Sequence, residues 1–473
     1  MHDSKPLSAH ASSLRLLAGQ ALSRAAGAPL VGGNRVELLI DGEAHFRAWA
    51  ELIESARHYV LLENYIIADD VVGRRFRDLL MARARAGVAV ALIHDWFGTF
   101  GNASRAFFAP LRAAGIAVRA FNRPRLDSPL GWVGRDHRKL LVVDGQIGSI
   151  SGVCLAAKWL GDSAQSIAPW RDSGVLIGGP AVADIEAAFR DSWAGLGAPL
   201  DFQAGPPPAP SGEVALRVIA TQPAHGAMYR LDALIAAMAT RSLWISDAYF
   251  VGIPTYVRGL AAAAADGVDV RLLVPGNNNL PAVGALSRAG YRPLLEAGIR
   301  VFEWNGSMLH AKTAVADGRW ARVGSSNLNL SSWLANLELD AAIDDEGFAG
   351  LLAEQYERDL ANATEIVLAG GRRPRPSGIA PPRPRRAGGS SSRAAAGALR
   401  LANTVGAALS NRRVLGPSEG GALLAGGLLL IALAILAVLL PQLLAWPLAL
   451  LCGWIGASLL RKRLRLRRRS PPR

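Results

Sequence analysis

The chain contains an internal repeat, which limits the folds that it can adopt. Three segments, each a helix end followed by a β-strand, recur later in the chain in the same order. The paired segments are 55–65 with 239–249, 85–93 with 265–274, and 111–118 with 295–301. Alternating helices and strands are typical of α/β architecture. The repeat predicts two similar α/β sandwich halves, 34–203 and 215–369, joined by the Pro- and Gly-rich linker 204–214, with a functional site at their pseudo-two-fold seam.

Each half also carries the same motif, HxKxxxxD. The motif residues are His137, Lys139 and Asp144 in the first half and His310, Lys312 and Asp317 in the second. Residues two apart on a strand face the same side, so each motif presents an imidazole and an ammonium together. The aspartates precede glycines, which indicates a tight turn that each aspartate fixes through backbone hydrogen bonds. These six residues are the predicted catalytic set, in which the two aspartates have a structural task.

Two histidines and two lysines in one pocket suit phosphoryl transfer at a phosphodiester. One imidazole attacks phosphorus, the other protonates the leaving alcohol, and the ammonium groups neutralise the non-bridging oxygens. This chemistry requires no metal or other cofactor. The chain has 5 lysines against 47 arginines, so lysine at the same place in both repeats indicates a need for a compact ammonium. The duplication disfavours the alternative that both histidines are ordinary core residues.

At these motifs, residues 36–366 resemble the phospholipase D superfamily and, within it, the bacterial cardiolipin synthases. The resemblance extends to the segments 170–172, 179–182, 247–250, 324–327 and 336–338. It implies a covalent phosphatidyl-histidine intermediate, in which His137 is the attacking residue and His310 is the general acid.

A neutral attacking histidine needs an acceptor that holds its other ring nitrogen. Glu338 follows His310 by 28 residues, in the Asn-x-Glu position that the resemblance assigns to this role. We therefore expect Glu338 to pair with His310, and Asp172 to be its counterpart for His137.

The segment 324–327 contributes Ser325 and Asn327 to the predicted phosphate site. The first half departs from this pattern, because Cys154 stands where the second half has Asn327. A thiol forms only weak hydrogen bonds, so we expect the first half to bind phosphoryl oxygens less well. This affects rate or substrate range and not the reaction class, and Cys154 is not expected to act as a nucleophile.

The net charge of +14 is unevenly distributed. Residues 371–473 hold 18 Lys and Arg and one acid, which leaves 34 basic and 37 acidic groups in residues 1–370, a net charge of −3. This balance disfavours a phosphate-tracking surface, so we predict no nucleic-acid partner and no nuclease activity.

Two apolar runs lie near the C-terminus. The run 421–440 has no polar side chain, and 443–460 has only Ser458, so each is about long enough to span a bilayer. Arginine-rich stretches flank both ends, and the positive-inside rule places both flanks in the cytoplasm. We expect a transmembrane helical hairpin that turns at residues 441–442. The alternative is one spanning helix with a re-entrant or interfacial second segment.

The basic linker 370–420 and the basic tail 461–473 are expected to lie near the anionic membrane surface. The N-terminal segment 1–33 lacks the uninterrupted apolar stretch of a secretory signal, and the two cysteines predict no disulfide framework. We therefore expect the catalytic part on the cytoplasmic side of the bacterial inner membrane.

These features predict a membrane-anchored phosphatidyltransferase that makes cardiolipin from phosphatidylglycerol and a second phospholipid. Its expected partners are phospholipid substrates and an anionic membrane. One alternative is a phospholipase D hydrolase that releases phosphatidic acid from the same intermediate. The other is a catalytically weak membrane scaffold. Aromatic residues near the motifs, among them Trp159 and Trp170, either line an acyl-chain entrance or pack in the core.

Overall fold

The computed structural model of the protein describes residues 9–123, 134–203, 205–206, 208–368 and scattered positions between 428 and 460. The chain divides into two compact units. The larger comprises Met1–Asn122, Gly134–Asn279 and Gly290–Pro376, and it contains both motifs. The smaller comprises Arg123–Val133, Leu280–Ala289 and Ser377–Arg473.

The described residues form an α/β fold. The strands are β1 Val31–Ile40, β2 Tyr59–Asn64, β3 Ala89–Asp95, β4 Ala117–Phe121, β5 Lys139–Val143, β6 Ile147–Ser151, β7 Ser173–Gly178, β8 Val214–Thr221, β9 Ser242–Ser246, β10 Asp269–Pro275, β11 Arg300–Trp304, β12 Thr313–Ala316, β13 Trp320–Gly324, β14 Glu338–Asp344 and β15 Ala363–Ile366. The helices are α1 Ala9–Ala26, α2 Asp41–Ser55, α3 Val71–Arg85, α4 Trp96–Thr99, α5 Arg105–Ala113, α6 Val182–Gly195, α7 Ala227–Met238, α8 Pro254–Ala265, α9 Pro281–Ala289, α10 Tyr291–Glu296, α11 Leu330–Leu334 and α12 Glu346–Ala361.

The strands of the larger unit form one mixed sheet of fifteen strands. Its order is β15-β11-β10-β9-β12-β13-β14-β8-β1-β7-β6-β5-β2-β3-β4. Read outward from the β1–β8 pair, the first half runs β1-β7-β6-β5-β2-β3-β4 and the second runs β8-β14-β13-β12-β9-β10-β11, which is the same order. The predicted α/β class is confirmed, and the two halves share a single sheet through the antiparallel pairing of β1 with β8.

Local sequence explains why the repeated segments fold alike. In both halves the second repeated segment ends its helix at a glycine, and Gly87 and Gly267 have φ of 89° and 90°. Such left-handed backbone is accessible to glycine at little cost, so the chain can turn sharply from helix into strand. The central strand β5 is buried at every residue and accordingly carries four consecutive apolar residues, 140–143.

A shared apolar core lies where the two halves meet. One cluster of buried side chains contains Ile150 and Val175 from the first half together with Val323, Leu339 and Ala341 from the second. Packing of the two half-sheets against this core removes their inner faces from water, which favours one fixed arrangement of the halves. The strand ends that carry the motifs are thereby held next to each other.

The predicted C-terminal features fall outside this description. The linker 370–420 and the tail 461–473 lie outside the described residues, as does most of the predicted hairpin 421–460. Within the described part of the chain, no helix combines the length and the apolar character that crossing a membrane requires.

Candidate active site

Both motif histidines occupy the same place in their half, just before a central strand. His137 lies two residues before β5, and His310 lies three residues before β12. The backbone N–H of His137 donates to the carbonyl of Leu337 at 2.9 Å, and that of His310 donates to the carbonyl of Arg171 at 2.7 Å. Each motif is therefore bonded to a segment of the opposite half.

This cross-pairing brings a buried acid against each imidazole. Glu338 directly follows Leu337, and its Oε2 lies 2.8 Å from Nδ1 of His137. The carboxylate is completely buried and is itself held, since Oε2 accepts from Ser325 Oγ at 2.6 Å and Oε1 accepts from Asn336 Nδ2 at 3.1 Å. These contacts fix both the acid and the ring that donates to it.

The second imidazole has the equivalent arrangement. Asp172 directly follows Arg171, and its Oδ2 lies 2.7 Å from Nδ1 of His310. Oδ2 also accepts from the indole Nε1 of Trp159 at 2.9 Å, and Oδ1 accepts from the backbone N–H of Ser173 at 2.9 Å. Asp172 is also completely buried.

The pairing predicted from the sequence was wrong. Glu338 contacts His137 and not His310, and Asp172 contacts His310 and not His137. The physical reason is the parallel bridges between residues 136 and 337 and between 171 and 309, which align each acid with the motif of the other half. Each half therefore supplies the acid for the other half's histidine.

The two lysines lie beside their histidines and against a tyrosine. Lys139 Nζ donates to the carbonyl of His137 at 2.5 Å and lies 5.1 Å from the centroid of the Tyr65 ring. The Tyr65 ring also packs edge-on against the His137 imidazole, with ring centroids 4.8 Å apart. An aromatic wall beside an ammonium lowers its hydration and favours its interaction with an anion in the site.

The second half repeats this arrangement. Lys312 Nζ donates to the carbonyl of His310, lies 2.9 Å from Nδ1 of the same residue, and lies 5.9 Å from the centroid of Tyr249. The rings of Tyr249 and His310 are 5.8 Å apart and roughly perpendicular. Sequence reasoning did not assign Tyr65 and Tyr249 to the site. The available signal was that both end the first pair of repeated segments.

The electrostatics favour ionised acids and neutral imidazoles. Burial lowers the pKa of both histidines, that of His310 to about 3, and each is lowered further by the lysines of both motifs. Burial alone would raise the pKa of Glu338 and Asp172, but the neighbouring histidine and lysine outweigh it and hold both at about 2. Because the pKa of each histidine is lowered by the lysines of both motifs, the two motifs share one site.

One nitrogen of each imidazole remains available. Among the described residues, neither Nε2 atom of the two motif histidines has a hydrogen-bond partner. With Nδ1 donating to a carboxylate, the neutral ring carries its lone pair on Nε2. The site can therefore offer one Nε2 as a nucleophile and the other as a proton carrier.

The motif aspartates lie outside the pocket. Asp144 follows the last residue of β5, about 16 Å along the strand from Lys139. Its carboxylate accepts from the backbone N–H groups of Arg57, His58 and Tyr59 at 2.7–2.8 Å. This corrects the grouping of the motif aspartates with the catalytic residues. The structural role predicted for Asp144 is right, but its hydrogen bonds reach the loop before the neighbouring strand and not its own turn.

The same correction applies to the second half. Asp317 accepts from the backbone N–H groups of Thr240, Arg241 and Ser242, which lead into β9. Both aspartates have a φ of 53°, a left-handed conformation that Asp adopts more readily than most residues. They join two strands of the sheet and do not face the reacting groups.

The remaining predicted site residues are one orienting group and two further buried side chains. Ser325 is engaged by Glu338 and by the backbone N–H of Leu339, which makes it an orienting group. Asn327 is buried, and its side-chain carbonyl has no hydrogen-bond partner among the described residues. Cys154 is also buried, and burial raises the pKa of its thiol, although Lys139 and Lys158 oppose the shift. A neutral, enclosed thiol is a poor nucleophile.

A family model described as "Cardiolipin synthase, PLD-like domain" matches residues 234–360. The chain is 33% identical over 359 residues to cardiolipin synthase A of Pseudomonas aeruginosa, and the aligned region covers 74% of this chain and 71% of the relative. The chain belongs to the cardiolipin synthase family. It is also 33% identical over 349 residues to cardiolipin synthase A of Pseudomonas putida, which covers 72% of this chain and 71% of that relative.

Solved structures share the fold of this cardiolipin synthase homologue. Phosphatidylserine synthase of Haemophilus influenzae aligns with a TM-score of 0.57 at 16% identity, over 73% of this chain and 91% of that chain. Polyphosphate kinase of Porphyromonas gingivalis aligns with a TM-score of 0.50 at 14% identity, over 70% of this chain and 48% of that chain. The predicted phospholipase D-like fold is confirmed, and the enzyme is a phosphatidyltransferase of this superfamily.

Proposed function

We propose that this enzyme makes cardiolipin by transferring a phosphatidyl group from phosphatidylglycerol to a hydroxyl of a second phospholipid. The observation that carries the proposal is the exchange of acids, in which Glu338 holds His137 and Asp172 holds His310. This leaves two Nε2 atoms and two ammonium groups for one phosphodiester, which is the set that a two-step transfer through a covalent intermediate needs. Family membership supports the same reaction.

In the first step, His137 Nε2 attacks the phosphorus of the donor lipid. The N–P bond forms as the P–O bond to glycerol breaks, and His310 Nε2–H gives its proton to the departing glycerol oxygen. The anionic phosphodiester in the site favours the protonated His310 that this step requires. Lys139 and Lys312 balance the negative charge that accumulates on the non-bridging oxygens.

In the second step, a hydroxyl of the acceptor lipid occupies the position that the glycerol has left. His310, now neutral, takes the hydroxyl proton while the new P–O bond forms and the N–P bond breaks. His137 is released neutral, and cardiolipin leaves. Glu338 stabilises the cationic ring of His137 that exists while the N–P bond is in place.

The proposed location is the cytoplasmic face of the bacterial inner membrane, with the C-terminal residues as the anchor. Its support is sequence-based: the apolar runs 421–440 and 443–460 and the arginines on both sides of them. We expect removal of residues 421–473 to preserve activity on micellar lipid and to abolish it on vesicles at physiological salt, since the anchor supplies local concentration and no chemistry.

The test of the function is product analysis with purified full-length protein on phosphatidylglycerol vesicles, with and without phosphatidylethanolamine. The proposal predicts cardiolipin and free glycerol. Phosphatidic acid as the dominant product would instead identify a hydrolase, in which water replaces the lipid hydroxyl in the second step.

A further inference from the structure

Lys158 is a third lysine at the edge of the site, and the reaction described above does not use it. It lies in a short turn, residues 157–159, four positions after Cys154, and it is partly exposed. Among the described residues no carboxylate forms an ion pair or hydrogen bond with its ammonium. Asp70 influences its pKa from beyond ion-pair distance, and the Asp70 carboxylate already accepts from three backbone N–H groups.

The two tryptophans beside this ammonium also contact the second histidine and its acid. Lys158 Nζ lies 4.5 Å from the centroid of the Trp170 ring and 5.0 Å from that of Trp159. The same Trp170 ring lies 5.5 Å from the ring of His310, and Trp159 donates to Asp172. The lysine therefore shares its aromatic support with the second histidine and its acid. Burial lowers the pKa of Lys158, so the ammonium gains from an incoming anion.

The turn that carries Lys158 is fixed to its surroundings. The backbone N–H of Ala157 donates to Asp70 Oδ2 at 2.7 Å, and the backbone N–H of Trp170 donates to the Lys158 carbonyl at 3.0 Å. The backbone at Lys158 is therefore fixed before any ligand binds, which lowers the entropic cost of binding.

Lys158 also breaks the two-fold symmetry of the site. Counted from Cys154 and Asn327, the equivalent position in the second half is Ser331, which carries no charge. The symmetric pair Lys139 and Lys312 suffices for the single negative charge of the reacting phosphodiester. A further cation on one side alone suits a second anion that is present in only one of the two steps.

We propose that Lys158 binds the phosphodiester of the incoming acceptor lipid and so makes the enzyme select a phospholipid alcohol over water and small alcohols. This inference rests on the proposed function. In the second step the acceptor hydroxyl oxygen bonds to phosphorus, the P–N bond to His137 breaks, and the hydroxyl proton passes to His310. The acceptor's own phosphodiester is unchanged, and its charge is neutralised by Lys158 while the hydroxyl is held in place.

The test is a competition for one intermediate. Phosphatidylglycerol vesicles are incubated with the full-length enzyme in the presence of ethanol, and the ratio of cardiolipin to phosphatidylethanol is measured. Both products arise from the same phosphatidyl-histidine, so their ratio reports acceptor choice and is independent of how much active protein is present. Loss of a charge-assisted contact predicts that Lys158→Gln lowers this ratio about tenfold or more.

Three further variants test whether the charge of Lys158 is responsible for the effect. Lys158→Met keeps the apolar stem on the tryptophans and should lower the ratio as Lys158→Gln does. Lys158→Arg keeps the charge and should hold the ratio within about threefold of the wild-type value. Arg85→Gln removes one exposed positive charge at the far end of α3 and should leave the ratio at the wild-type value.

The outcomes separate this inference from the function on which it rests. An unchanged ratio in Lys158→Gln and Lys158→Met would overturn the inference, and so would loss of both products in these variants, since Lys158 would then act in the first step. Wild-type enzyme that gives phosphatidylethanol and phosphatidic acid but no cardiolipin would contradict the proposed function, whatever the Lys158 variants do.

Discussion

Glu338, in the second half of the chain, accepts a hydrogen bond from Nδ1 of His137, in the first half, at 2.8 Å. Asp172 of the first half holds His310 of the second at 2.7 Å. Each half therefore lacks the acid for its own histidine, and neither half alone contains a complete histidine–carboxylate pair. This interdependence explains why the two halves share a sheet and a core, because the chemistry requires them at a fixed separation.

Exchange of the orienting acids leads to a first prediction. Glu338→Gln replaces the charged acceptor by an amide and removes the charge that supports the cationic His137, so kcat should fall about 10²–10⁴-fold. Asp172→Asn should give a comparable loss through His310. Stopped reactions on phosphatidylglycerol would measure both rates.

The two acid variants should differ in which step fails. With an activated donor that needs no protonation of its leaving group, Asp172→Asn should still form the covalent intermediate, and Glu338→Gln should form it slowly. The reverse pattern would support the pairing that the sequence suggested, with Glu338 serving His310.

The alkaline pH dependence follows from Lys312. Burial and the neighbouring Lys139 lower the pKa of Lys312 from 10.5 to about 8, so its ammonium is present below pH 8 and is lost as the pH rises through that value. We therefore expect kcat/KM of the wild-type enzyme to decline above about pH 8, in addition to any alkaline decline that does not depend on Lys312. In Lys312→Arg, a slower enzyme whose side chain stays charged, this additional decline should disappear. Profiles on a soluble short-chain phosphatidylglycerol between pH 6 and 10 would check the prediction, and identical alkaline limbs in both proteins would count against it.

The position of Asp144 predicts a loss of stability without a loss of chemistry. Asp144→Ala deprives three backbone N–H groups of their acceptor and places alanine at a positive φ, so the free energy of unfolding should fall by about 1–3 kcal/mol. Asp144→Asn keeps an acceptor and tolerates the backbone, and it should lose less. Urea unfolding of both variants gives these values, and kcat of the folded fraction should stay within about threefold of wild type. A far larger fall in kcat would place Asp144 in the reaction after all.

Much of the fold could be predicted because its signals are local. Each repeated segment carries its own strand pattern and helix-ending glycine, and each motif marks the start of a central strand. The roles of the two motif aspartates could be anticipated partly, because Asp before Gly favours a turn. Their actual donors, such as Arg57 and His58, come from some 86 residues earlier in the chain and carry no local signal.

The acid pairing could not be predicted in the same way. It depends on the bridges Asp136 with Leu337 and Arg171 with Leu309, which join residues that are far apart in sequence. The spacing of a motif gives the order of its residues along the chain, but it does not show which strand ends lie next to each other.

Identification of the covalent intermediate shows directly which histidine is the nucleophile. Wild-type, His137→Ala and His310→Ala proteins are incubated with the para-nitrophenyl ester of a short-chain phosphatidic acid, denatured in urea at mildly alkaline pH to preserve an N–P bond, and examined by peptide mass spectrometry. Because this leaving group needs no proton, we predict a phosphatidyl adduct on His137 in wild-type and in His310→Ala protein, and none in His137→Ala. An adduct on His310 that persists in His137→Ala would contradict the assignment, and the roles of the two histidines would be reversed.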